Sequence, residues 1–436
     1  MNLHAANQNL SSKKVKRIIG IGAGPSNLSL AALSKGIPEL QVQLLEKSAG
    51  PQWHPGMQIP DAELQVSFLK DLVTLVDPTN QYSFLSFLKD KKRIYRALVA
   101  NRSRTSRMEF ERYLEWVSKK LECVDYNVAA LNVEFDGKQI NIETSAERQS
   151  CDGVAIGTGL IPKTPDIPGM QRLGIHSSKY MTERDKMDFN GKTVAVVGGG
   201  QSGAEIVLDL LSTYGPSVNI QWINKRLIFL PLDDSPFVNE HFFPGYVDFF
   251  ESLAQPIRGY LSKYFCHASD GISTSTLERL YEKCYDLHAV EEFPNVLNLH
   301  VATRMMNADA MASGIRLQTY NEVTQETDVL LCDHLFFATG YGFQKPSFIE
   351  SLIPGELVIR SDRSIEWEGQ DTSPIHIQNS SVEQFSLAEP NLSLLAWRSA
   401  RILNSLNGKD HYELEESQAA LNFSIPQPLN IREIAV

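Results

Sequence analysis

Two glycine-rich segments, opening at Gly22 and Gly198, each stand where an apolar strand pattern gives way to a helical one. The first comes after Arg17-Ile18-Ile19-Gly20-Ile21 and reads Gly22-Ala23-Gly24-Pro25-Ser26-Asn27. The second comes after Thr193-Val194-Ala195-Val196-Val197 and reads Gly198-Gly199-Gly200-Gln201-Ser202-Gly203. At such a junction the strand ends, small residues let the backbone approach a pyrophosphate, and the next helix aims its first N–H groups at the anion. One loop of this kind is a weak signal. Two predict two bound dinucleotides, electron transfer between them, and an α/β fold of two Rossmann-like domains.

The residues beyond each loop set the two apart. A carboxylate roughly 20 residues on binds ribose hydroxyls. After the first loop, Gln41–Leu45 reads as a strand that ends in Glu46. After the second, Asn219–Ile223 ends without an acid, and Asn224-Lys225-Arg226 come next. A missing acid with adjacent cations favours the 2′-phosphate of NADP over the free hydroxyl of NAD. The plain alternative is a glycine turn with solvated charges behind it.

Composition removes other classes. The 436 residues carry a net charge of −11, which argues against non-specific nucleic-acid binding. No apolar run approaches the ~18 residues of a membrane span, and no apolar signal core precedes Lys13, so a cytoplasmic protein without membrane insertion is expected. The basic cluster Lys13, Lys14, Lys16 and Arg17 reads as a solvated lead-in to the first strand. Cys123, Cys151, Cys266, Cys284 and Cys332 are scattered, with no C-x-x-C pair and no metal spacing. Disulfide reductases that carry two dinucleotide loops need a redox-active cysteine pair, so that chemistry is excluded.

Residues 108–122 have apolar positions at helical spacing. A strand at 151–156 runs into Gly157-Thr158-Gly159, and Pro162, Pro165 and Pro168 mark a linker. The late strand before Ala338-Thr339-Gly340 mirrors that turn, and 389–406 ends the pattern with an amphipathic helix. The expected division is a first dinucleotide-binding part at 15–185, a second dinucleotide-binding domain at 186–330 with a substrate-binding insertion at about 230–290, a last part of the first domain at 331–410, and a tail at 411–436.

Seven separated blocks then carry a resemblance. They are Gly22–Asn27, Trp53-His54-Pro55-Gly56-Met57, Phe68-Leu69-Lys70-Asp71-Leu72, Gly198–Gly203, Asp234–Glu240, Phe337–Tyr341 and Leu395–Arg398. Together the chain resembles the flavin-dependent N-hydroxylating monooxygenases of siderophore biosynthesis, the lysine and ornithine N-hydroxylases. The resemblance implies FAD as cofactor of the first domain and NADPH of the second, with a primary amine and dioxygen as substrates. It implies oxygen transfer through a hydroperoxide at flavin C4a, and a homo-oligomer, dimer or tetramer. By the same resemblance Gly22, Gly24, Pro25, Ser26, Asn27 and Glu46 hold FAD, and Trp53, His54 and Met57 line the flavin. Gly198, Gly200, Gln201, Ser202, Gly203, Lys225 and Arg226 hold NADPH, and Thr339 and Gly340 also contact a cofactor. Gln65 lies beside the flavin, Lys70 meets the substrate, and Asn239 hydrogen-bonds it. Each has a plain alternative: Lys70 as a surface charge beside Asp71, Trp53 and Met57 as core, His54 as a structural histidine, Asn239 as a helix cap. Arg398 either anchors the C-terminal segment or touches a cofactor.

Two departures bear on the amine. Phe385-Ser386 stand where family members acting on amino acids usually carry His-Gly, and Ser269-Asp270-Gly271 stands where the ornithine enzymes have Asn-Tyr-Ser, closer to the lysine branch. An acidic Asp270 suits a second cationic group, so Asp270 and Phe385 are read as substrate residues. The expected amine is lysine or a decarboxylated one such as putrescine, cadaverine or histamine. The rivals are a sulfide or Baeyer–Villiger flavin monooxygenase, whose histidine-containing fingerprint is missing after Phe189-Asn190-Gly191, and a non-catalytic dinucleotide sensor.

Overall fold

The computed structural model describes residues 15–102, 104–167, 169–414 and 419–423. Lys13, Lys14, Pro168 and much of the 411–436 tail lie outside the described residues. Two five-stranded sheets dominate. In spatial order the first runs Ile375–Ile377, Gly153–Ile156, Lys16–Ile21, Leu40–Glu46 and Val124–Tyr126. The second runs Ile175–His176, His334–Phe337, Lys192–Val197, Val218–Ile223 and Leu297–His300. Every pairing within them is parallel. Parallel sheets are covered on both faces, so their strands are apolar without alternation. Ile18-Ile19 and Val194-Ala195-Val196 are accordingly fully buried.

The sheets share one plan. In each, the central strand delivers a glycine loop, and one neighbour enters Gly157-Thr158-Gly159 or Ala338-Thr339-Gly340. Each module also carries a three-stranded antiparallel meander, starting at Ala130 and at Thr303. Strand pairing shifts the domain boundaries: Ile175–His176 and His334–Phe337 both belong to the second sheet, beyond 186–330. The first module is discontinuous. Its helix Pro25–Ser34 shares a core with the C-terminal helix Leu395–Asn407 through Leu28, Leu395, Ala400 and Leu403. Burying each leucine stabilises that union by about 1.5–3 kcal/mol. The chain passes between modules through the antiparallel pair Ile161–Pro162 and Tyr341–Gly342.

The 108–122 pattern folds as the helix Arg107–Leu121, with Ser106 capping the Glu109 N–H at 3.2 Å and Phe110, Tyr113, Leu114 and Val117 inward. The insertion is helical, including Pro236–Asn239, Pro244–Ser252, Gln255–Tyr264, His267–Asp270 and Thr274–Tyr285. Phe242 and Val247 pack it on Ala388, Leu394 and Trp397. In the described part of the tail, the Ala420 and Leu421 N–H groups donate to the Glu240 carboxylate at 3.0 and 2.8 Å. Among the described residues no helix is long and apolar enough to cross a membrane.

Candidate active site

Both glycine loops are shaped for a phosphate. Gly22 has φ +95°, and a Cβ there would lie 2.6 Å from the Gly157 carbonyl oxygen. Gly198 has φ +132°, and its Cβ would lie 2.2 Å from that of Ala338. Only glycine fits either position. A Cβ on Gly24 would meet nothing within 4 Å, so space for a ligand opens there. Gly203 lets helix and strand approach, since its Cβ would sit 2.2 Å from the Gly198 oxygen. The helices Pro25–Ser34 and Gln201–Tyr214 begin without a side-chain cap, which leaves their first N–H groups for an anion. Glu46 stands beside the first loop, accepting from the Ala23 and Ser48 N–H groups at 2.9 and 2.8 Å. Lys225 is exposed beside the second, and Arg226 donates to the Asp270 carbonyl at 3.3 Å.

The side chain of Asn27 turns into the protein rather than outward from the loop. It is fully buried, with its amide nitrogen 3.1, 2.8 and 3.2 Å from the carbonyl oxygens of Ile21, Gly22 and Ala155. Its oxygen accepts from Gln378 at 2.9 Å. Asn27 braces the loop from beneath, leaving its backbone N–H for a ligand. Ser26 similarly accepts from Asn379 at 3.0 Å.

A cavity of about 230 Å³ brings Trp53, His54, Met57 and Gln65 together with Ser202 from the second loop. Glu63, Leu64, Val66, Arg107, Tyr341 and Pro390-Asn391-Leu392 also line it. His54 lines the cavity and is exposed to it. Desolvation, reinforced by the Arg107 guanidinium, pushes its pKa down to about 4, so the ring is neutral at pH 7. Gln65 donates to Gln201 at 3.1 Å, and Gln201 in turn donates to Glu205 at 2.8 Å. Glu205 forms a two-pronged pair with Arg107, at 2.6 and 2.8 Å, largely shielded from water. The modules are thus tied together at the cavity.

Lys70 stands next to a turn fixed by its neighbour. The buried Asp71 carboxylate accepts from the N–H groups of Val73, Thr74 and Phe84, at 2.9, 2.7 and 2.6 Å. Lys70 is half-buried, donates to the Ser393 hydroxyl at 2.8 Å, and lies 5.8 Å from the centre of the Phe242 ring. Among the described residues no carboxylate forms an ion pair with it, and burial lowers its pKa from the ordinary lysine value. Asn239, three residues before Phe242, is half-buried and donates to the Asp234 carbonyl at 2.6 Å.

Of the two expected substrate residues, one is closed off and the other stands at the second glycine loop. Phe385 is fully buried under the Arg363 guanidinium, 3.7 Å from the ring centre, so it offers no surface to a substrate. Asp270 ends a helix beside Gly200, with its carboxylate 3.9 Å from Arg226, at the second nucleotide loop. Thr339 donates to the Lys163 carbonyl and Gly340 accepts from the Lys163 N–H at 2.9 Å, at the crossing between modules. Arg398 anchors the C-terminal segment, donating to the Glu389 carbonyl and to Asn379. Arg107, Glu205 and Ser393 join the site without any motif to announce them. The spacing of Gln201 and Glu205 on one helix is visible in the sequence, but their partners come from distant parts of the chain.

Two modules of one plan, each delivering a glycine loop and meeting at a shared recess, define a protein built to hold two dinucleotides. The model of the L-lysine 6-monooxygenase/L-ornithine 5-monooxygenase family matches residues 14–343, and the chain belongs to that family. The L-lysine N6-monooxygenase of Escherichia coli is 35% identical over 422 residues, spanning 94% of this chain and 99% of the relative. The FAD-bound cadaverine monooxygenase of the desferrioxamine pathway from Erwinia amylovora superposes with a TM-score of 0.87 at 26% identity, covering 95% of this chain and 99% of its own. The ornithine N-hydroxylase of Kutzneria sp. 744, solved with reduced FAD, NADP+ and L-ornithine, gives 0.84 at 28% identity, covering 90% and 99%.

Proposed function

We propose that this chain is an FAD- and NADPH-dependent monooxygenase that hydroxylates the side-chain amine of L-lysine. The observation that carries the substrate is Lys70: a half-buried ammonium on Ser393, one residue beyond the cavity wall, with no carboxylate partner among the described residues. A buried cation without a counter-ion is unfavourable until one arrives, and an α-carboxylate supplies it. The acidic group that favoured a decarboxylated amine, Asp270, is engaged by Arg226 instead. The lysine-specific relative supports the same reading.

Bound FAD supplies the redox and oxygen-activating chemistry, and NADPH the electrons. The loop at Gly22 and Gly24 would hold the FAD pyrophosphate, Glu46 a ribose, and Trp53, Met57 and the neutral His54 the ring. Gly198–Gly203, Lys225 and Arg226 would hold NADPH, with Ser202 reaching the flavin recess. Gln65 and Gln201 hold the two sites in register. Lys70 and Asn239 orient the amino acid, with the Phe242 ring beside the Lys70 ammonium, and the amine must react as the free base.

A second reading, a decarboxylated diamine, is favoured by the likeness to the cadaverine enzyme. The deciding assay offers L-lysine, L-ornithine, cadaverine, putrescine and histamine, and scores both NADPH oxidation and hydroxylamine product. Coupled product is expected with L-lysine. Coupling with cadaverine alone would overturn the amino-acid assignment.

A further inference from the structure

A buried line of polar contacts leads from the first glycine loop to the inserted segment. Ser26 accepts from the Asn379 amide at 3.0 Å, and the Asn379 backbone N–H donates to Glu389 Oε1 at 3.1 Å. Glu389 Oε2 accepts from Arg363 Nε at 3.2 Å, and another Arg363 nitrogen donates to Glu251 Oε1 at 3.1 Å. Glu251 belongs to the inserted helix Pro244–Ser252. Arg398 closes the line from the side, donating to the Asn379 side-chain oxygen at 3.1 Å and to the Glu389 carbonyl.

Arg363, Glu389 and Arg398 are 1%, 2% and 2% exposed. Two guanidinium groups balance two carboxylates, so removing one member strands a buried charge. Arg363 also has φ +70°, uncommon for a bulky residue and held by structure around it. Its N–H donates to the Arg360 carbonyl and its carbonyl accepts from Ile377, both at 2.8–2.9 Å.

The place of Glu389 in the chain gives the cluster its consequence. Pro390, Asn391 and Leu392 come immediately after it and line the flavin recess, and Ser393 holds Lys70. Glu389 is gripped twice, by Arg363 on its carboxylate and by Arg398 on its carbonyl. We propose that Arg363 is a positioning residue: by holding Glu389 and Glu251 together, it sets the segment 389–393 and the inserted helix as one piece. FAD affinity and amine affinity then depend on the same guanidinium. The amine half rests on the assignment of Lys70 to the substrate, and the FAD half does not.

The experiment compares Arg363→Met, Arg363→Lys and Glu251→Gln in the full chain. Flavin fluorescence gives the FAD Kd of the apoprotein, steady-state kinetics give KM and kcat for L-lysine, and circular dichroism reports folding. Arg363→Met is expected to weaken FAD on the order of tenfold, the scale of one lost charge-assisted bond. It should also raise the amine KM more than it lowers kcat. Arg363→Lys keeps the charge but lacks the fork that spans two carboxylates, so it restores FAD binding only in part. Glu251→Gln keeps the Glu389 contact but removes one balancing charge, so the amine KM should rise with a smaller effect on the FAD Kd than Arg363→Met has.

Folded variants with a lowered Tm but unchanged FAD Kd and amine KM would reduce Arg363 to a stability residue and overturn the proposal. If Arg363→Met fails to fold, Arg363→Lys and Glu251→Gln decide. A Lys70→Gln control separates the two assignments. If it leaves the amine KM unchanged, the substrate reading fails while the FAD result on Arg363 still stands or falls by itself.

Discussion

The side-chain amide of Gln65 donates to the side-chain oxygen of Gln201 at 3.1 Å, joining the recess to the start of the helix behind the second glycine loop. That oxygen also accepts from the Ser273 N–H at 2.8 Å, so the insertion meets the seam at the same atom. The adjoining pair Arg107–Glu205 is the stronger tie. Glu205→Ala should destabilise the apoprotein by about 3–5 kcal/mol, because it leaves the Arg107 charge buried and unpaired. Gln65→Ala, which removes one neutral bond, should cost roughly 1 kcal/mol. Both should slow reduction of the flavin by NADPH in stopped-flow. Undiminished reduction in Glu205→Ala would show that the seam does not set the alignment.

Coenzyme choice is expected to reside at Lys225 and Arg226. Replacing either with Ala should weaken NADPH by about 1.5–3 kcal/mol, the scale of one charge-assisted contact, with a smaller effect on NADH. Asp270→Asn should alter the KM for NADPH and leave that for L-lysine unchanged. A change confined to the amine would return Asp270 to the substrate site.

The glycine loops should fail separately. Gly22→Ala places a Cβ 2.6 Å from one carbonyl oxygen at φ +95°, and Gly198→Ala places one 2.2 Å from another at φ +132°. The first variant should lose FAD. The second should stay yellow as purified but show little bleaching with NADPH. Loss of flavin from both would mean that the modules do not hold their cofactors independently.

These loops are legible in the sequence because their chemistry is local: strand, glycine and helix start lie within a dozen residues or so, and Glu46 closes the next strand. The helix Arg107–Leu121 is legible by its 3.6-residue period. The illegible part comes from distant pairings. Nothing in the neighbourhood of Asp270 announces Arg226, and nothing around Phe385 announces that an arginine covers its ring. Both positions mislead because a place in a block says nothing about orientation. The inward side chain of Asn27 is illegible for the same reason, since its partners Ala155 and Gln378 are distant in sequence.

Acidity should tune recognition through Lys70. Burial lowers its pKa, so its proton leaves below the range where free lysine titrates, about 10.4. Only the protonated form attracts a carboxylate. Carboxylate affinity is therefore full at lower pH and lost as pH rises through the depressed pKa. Inhibition by 6-hydroxyhexanoate, which has no amine and stays ionised, should weaken on going alkaline and become flat with pH in Lys70→Gln. Inhibition that strengthens with pH would contradict the assignment.

The parallel strand Ile375–Ile377 and the helix Leu395–Asn407 complete a sheet whose first strand begins at Lys16. During synthesis, then, the second module has every strand from Ile175 to Phe337 outside the ribosome while the first still lacks an edge and a helix. Domains fold as units in the order they are completed, so the later-coded module should mature first. Protease challenge of ribosome-stalled chains that end near residue 400, with their last few dozen residues still in the exit tunnel, should leave a resistant fragment from the second module and digest the amino-terminal one. The FAD module would thus wait, with Asn27 lacking its Gln378 partner, until the last tenth or so of the chain emerges.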